Sequence, residues 1–132
     1  NVQMKKTTKV TTKKIDIKDL NIPNICFSLT TKDDTREKKF KEQRIERGFD
    51  DSETWSLSDS IINFSLPRLK RYKEIVEKVY ASKKHIKQVD KVIIAFELLY
   101  RDHGSRLFTE EEEKKVIKGL SIYHKIFLEL WW

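Results

Sequence analysis

Between Leu57 and Val79, the apolar residues Leu57, Ile61, Ile62, Phe64, Leu66, Leu69, Tyr72, Ile75, Val76 and Val79 return every three or four positions, with Pro67 among them. That spacing lays one broad apolar face along a helix. Proline removes a backbone donor, and its ring conflicts with the carbonyl of Asn63. The expected element is a helix over about 56–81 that kinks or splits at Pro67. Two further segments share the period. Val89, Val92, Ile93, Phe96, Leu99, Tyr100 and His103 form one stripe, predicting a helix over about 86–103 that Gly104 ends. Thr109 and Glu112 have capping-box spacing, and Glu110–Glu113 place negative charge where a helix dipole favours it. They predict a helix over about 110–131 carrying Val116, Ile117, Leu120, Tyr123, His124, Phe127, Leu128 and Trp131. Three Gly and two Pro in 132 residues leave few turns for a many-stranded sheet. The fold class is therefore all-α, with three principal helices around one core.

The N-terminal third reads differently. Residues 1–32 are rich in Lys and Thr, and Pro23 argues against a regular element through Leu20–Phe27, so they read as a basic, partly extended arm. Such an arm suits gripping phosphate or adding a strand to a partner's sheet. Asp34 and Glu37 start a polar basic helix near Thr35, and Gly48 closes it after Arg47 in the left-handed position. Asp51 or Ser52 caps a single turn, Ser56 with Asp59 resembles a further capping box, and Trp55 is expected to pack inward. The domain layout is an arm over 1–32 and one helical domain over 33–132.

The chain carries a formal net charge of +7, distributed unevenly. Residues 1–48 net +6, 49–66 net −4, 67–106 net +6 and 107–132 net −1. Anionic partners, nucleic acid included, are electrostatically favoured. Cys26 is the only cysteine, so no intrachain disulfide forms, and it reads as a small apolar side chain in a cytoplasmic protein. No apolar run approaches the roughly 18–20 residues that span a bilayer, so no membrane contact is expected. The sequence begins at Asn1 rather than Met, which leaves room for residues before it.

From Gly48 to Trp131 the order of motifs resembles a family of small helical proteins from tailed phages and prophages. The carrying residues are Gly48-Phe49-Asp50-Asp51 with Trp55-Ser56-Leu57, then Leu66-Pro67-Arg68-Leu69-Lys70-Arg71-Tyr72, Ala95-Phe96-Glu97, Gly119-Leu120, and Phe127 through Leu130-Trp131. The chain departs from the pattern at Ser58, where the family often has Asp, and at Trp132, where an acidic residue often follows. The resemblance implies a viral origin, an infected bacterial cell as the setting and a helical fold. It brings no established activity.

Chemistry is sparsely represented. His103 and His124, with Glu97 or Asp102, make at most a minimal metal set, without a His-x-x-x-His or Cys pair to support it. Asp50, Asp51 and Asp59 suit capping and charge pairing better than acid–base catalysis. There is no phosphate loop and no nucleophile elbow. The expectation is a non-enzymatic protein with no metal, cofactor or small-molecule substrate. Two surfaces stand out. Arg68, Lys70, Arg71 and Lys73, joined by Lys38, Lys41 and Arg44 of the preceding helix, could contact nucleic acid or an acidic partner. Trp131 and Trp132 point about 100° apart on a helix, so one should be exposed as a protein-interface anchor. Protein binding or self-association is the leading reading, nucleic-acid binding the second, and a virion or assembly component the third.

Overall fold

The structure, a computed structural model, describes residues 28, 30, 31, 33–79, 82–102 and 107–132. Most of the expected arm, Cys26, His103 and Gly104 lie outside the described residues, and with them the pairing of His103 with His124. Among the described residues there are four α-helices and no strand: α1 Glu37–Arg47, α2 Leu57–Val79, α3 Lys83–Asp102 and α4 Glu110–Ile126. Short 3-10 turns at Asp51–Thr54 and Phe127–Glu129 precede α2 and follow α4.

α3 is the central helix, packed by α2 on one side and α4 on the other. Its residues Val89, Val92 and Ala95 are fully buried, with Phe96 almost so. Around them gather Ile62, Leu66 and Leu69 of α2 and Val116, Ile122 and Ile126 of α4. Burying each large side chain contributes about 2 kcal/mol, which is why α3 carries the cleanest amphipathic stripe. Neighbouring helices run antiparallel: Lys70 meets Glu97 at 3.0 Å and Lys73 meets Asp90, while Arg101 near the end of α3 meets Glu112 at the start of α4.

Three boundaries differ from the sequence reading, each for a local reason. α1 starts at Glu37 because the Asp34 carboxylate accepts the Arg36 N–H at 2.8 Å and binds its guanidinium, forming a turn rather than capping a helix. α2 keeps Pro67 inside a single helix, the unsplit one of the two expected forms. The ring faces solvent, while buried Leu66 and Leu69 on either side hold both halves against the core. α3 begins at Lys83, ahead of the expected start near 86, because the Ser82 hydroxyl accepts the His85 N–H at 3.3 Å. α4 ends at Ile126, which is buried in the core, and the chain then tightens into a 3-10 turn instead of staying helical to 131. The expected Thr109–Glu112 capping box is present, with bonds of 3.0 and 3.1 Å.

Trp55 also corrects the expectation. It lies exposed beside the bundle, its ring T-shaped to that of buried Phe40 with centroids 5.9 Å apart and the Arg36 guanidinium over it at 4.8 Å. The core is closed without it, so its role is to seat α1.

Candidate functional site

The basic residues singled out in sequence divide sharply once folded. Arg44 is corrected outright, since its side chain is only 7% exposed and bridges Glu37 and Asp50, itself 0% exposed. No phosphate reaches it. Burial pushes the Asp50 carboxyl up, but bonds from Ser52, Arg44 and Ser28 more than offset this and hold it below the usual range. Burial also pushes Glu53 up, and nearby Asp50 adds to this, while Glu53 accepts the Asp50 N–H at 2.9 Å. Ser28 joins Ser52 at 3.1 Å and Thr30 donates to Glu37, tying the end of the expected arm to the same clasp. The acidic turn and basic helix thus neutralise each other as a structural unit.

On α2, Lys70 pairs with Glu97, Arg71 with Glu74 at 2.9 Å, and Lys73 with both Asp90 and Glu77. The bond to Asp90 raises the Lys73 pKa. Arg68 stacks on Phe64 at 3.9 Å and donates to the Phe64 carbonyl at 2.9 Å. These groups are exposed or half-buried but largely compensated. Lys38 is exposed and Lys41 half-exposed on α1.

The structure instead assembles cations that sequence spacing did not single out. Lys91 of α3 and Lys114, Lys115 and Lys118 of α4 line a groove of about 500 Å³ with Ile94 beside them. Gly119 brings them together. A Cβ there would lie 2.3 Å from the Ala95 Cβ and 2.6 Å from the Lys91 carbonyl, so the two helices approach as closely as only glycine permits. Among the described residues, Lys91, Lys115 and Lys118 form no ion pair, and Lys114 reaches Glu110 only at 3.9 Å. The sequence signal was the small residue at 119 beside three clustered lysines, but it could not say that α3 would bring Lys91 alongside.

The second candidate lies at the end of the bundle where α2 meets α3. Val79, His85, Glu129, Trp131 and Trp132 line a cavity of about 330 Å³. The Tyr72 hydroxyl lies 2.8 Å from His85 Nε2 and within 3.3 and 3.2 Å of the Glu129 and Trp131 carbonyls. One arrangement accommodates all three: His85 donates from Nε2, and Tyr72 accepts it and shares its single hydroxyl hydrogen between the two tail carbonyls. The tail backbone is therefore fastened, while Trp131 and Trp132 stand 74% and 70% exposed. The sequence reading expected one exposed Trp; the early end of α4 exposes both. His85 and Tyr72 were not recognised as a pair because thirteen residues and a helix reversal separate them.

Among the described residues no group of three or more His, Cys, Asp or Glu is placed to hold a metal, and no helix is long and apolar enough to cross a membrane. Comparison of the chain with protein-family models, with curated proteins and with solved structures finds no match.

Proposed function

We propose that this is a non-enzymatic, phage-type accessory protein that acts by binding another protein through the Trp131–Trp132 end of its bundle. The observation that carries the reading is the combination of two exposed indoles with a backbone pinned by Tyr72. An aromatic pair held ready loses little conformational freedom on binding, and Trp is the commonest energetic anchor of protein interfaces. The ordered resemblance from Gly48 to Trp131 supports the viral origin, and with it the cytoplasm of an infected bacterium as the place of action. Affinity capture from infected cells with the natural chain and with W131A/W132A tests this. The natural chain should enrich at least one protein that the variant loses, and the purified pair should bind. Equal recovery by both overturns the reading. Abundant copies in purified particles would instead make it a virion component.

A second reading, nucleic-acid binding, is favoured by the groove of Lys91, Lys114, Lys115 and Lys118. Phosphate contacts by four lysines release counterions, giving a slope of log affinity against log salt of about −3.6 on duplex. Undetectable binding of duplex and single strands at low salt removes this reading.

A further inference from the structure

A helix that closes a core needs one apolar face, and α4 has two. Val116, Ile122 and Ile126 fill the core. On the outward side Ile117 is 61% and Leu120 41% exposed. With exposed Glu113 and His124 they follow a spacing of 4, 3 and 4 residues. That is the seam of a helix built to lie against another helix.

We propose that α4 pairs antiparallel with α4 of a second copy of this chain across a two-fold axis. Such an interface is self-complementary: wherever residue i meets residue j, j must also meet i. An axis passing between Lys118 and Gly119 sets Ile117 of each copy against Leu120 of the other, and Glu113 against His124. The same axis sets Glu112 against Lys125. Because α4 runs from Glu110 to Ile126, this axis falls at the helix midpoint and the two helices overlap along their whole length, about 25 Å. The charges select the orientation. A parallel pair would stack Glu113 on Glu113, whereas the antiparallel pair places the acidic first turn against the basic last turn and opposes the two helix dipoles.

The other outward apolar stripe, Leu57, Ile61 and Phe64 of α2, lacks this symmetry. A two-fold axis between Ile61 and Phe64 would set Arg68 against Leu57, and Phe64 is already covered by Arg68 at 3.9 Å.

This rests on the reading of a protein-binding chain and names a second copy as one partner. The seam excludes Trp131 and Trp132, so the two can fail separately. Sedimentation equilibrium of the full chain tests it, over concentrations up to about 200 μM, where a pairing of micromolar affinity is largely formed. The mass should rise from 15.8 kDa toward twice that value. I117D/L120D should remain monomeric with unchanged helical circular dichroism, since both positions face solvent. E113K should weaken the dimer about tenfold or more, and E113K/H124E should restore it. W131A/W132A should dimerise as the natural chain does. A natural chain that stays monomeric throughout overturns the proposal, as does a dimer that survives I117D/L120D or disappears with W131A/W132A. Failure of E113K/H124E to rescue E113K overturns the antiparallel register.

Discussion

At the residue scale, the side chains that looked most reactive are those the fold neutralises most completely. Asp50 and Arg44 are both buried and joined, so removing one strands the other in a low-dielectric site. Asp50→Ala should cost about 3 kcal/mol in denaturant unfolding. Lys70→Ala breaks a pair whose members are each about half exposed and should cost no more than about 0.5 kcal/mol. Gly119 makes the opposite kind of case. In an open helix, glycine to alanine stabilises by up to about 1 kcal/mol. Here the added Cβ would collide with Ala95 and with the Lys91 carbonyl, so Gly119→Ala should destabilise by about 1–3 kcal/mol as α3 and α4 are forced apart. A stabilised G119A in thermal melts would show that the two helices are not in this close contact.

At the element scale, the helix ends set where functional groups stand. The Arg101 guanidinium, and then the Thr109 N–H, lower the Glu112 carboxyl from its ordinary 4.5 to about 2. A carboxyl depressed by folding stabilises fully above the unfolded pKa and loses that contribution as pH falls through the folded one. The α4 cap should therefore weaken between about pH 4.5 and 2, and the melting temperature of Glu112→Gln should fall less across that window than that of the natural chain. At the far end of α4, the departure from helix at Ile126 fixes the tail. Tyr72→Phe removes the hydroxyl that reaches both tail carbonyls, so amide exchange at Trp131 and Trp132 should rise while that of α3 stays unchanged.

At the scale of the whole molecule, a net charge of +7 does not locate a binding surface, because much of the basic charge is spent on internal pairing. Arg44, Arg47, Lys70, Arg71 and Lys73 are paired, whereas the groove between α3 and α4 gathers four lysines of which, among the described residues, only Lys114 has an ion pair. If the chain binds nucleic acid, K91Q/K114Q/K115Q/K118Q should flatten the salt dependence by about 3.6 in slope, and K70Q/R71Q/K73Q should change it by less than 1. Equal effects from the two variants, measured by fluorescence anisotropy against salt, would mean that the field is diffuse and the groove has no special part.

Local chemistry determined the helices themselves: three apolar periods, the Thr109–Glu112 box and the left-handed Gly48, at φ 89°, are properties of neighbouring residues and were legible in sequence. Tertiary structure decided what distance in sequence conceals. It carried Arg44 inward to Asp50 and turned Trp55 outward, and core packing on both sides of Pro67 offsets the roughly 3 kcal/mol that an interior proline costs. It also set Lys91 beside Lys118 and fastened the tail to Tyr72. Side-chain periodicity records which face of a helix is buried, but a binding surface depends on which faces meet and which charges are already paired, and those are settled only when the helices pack.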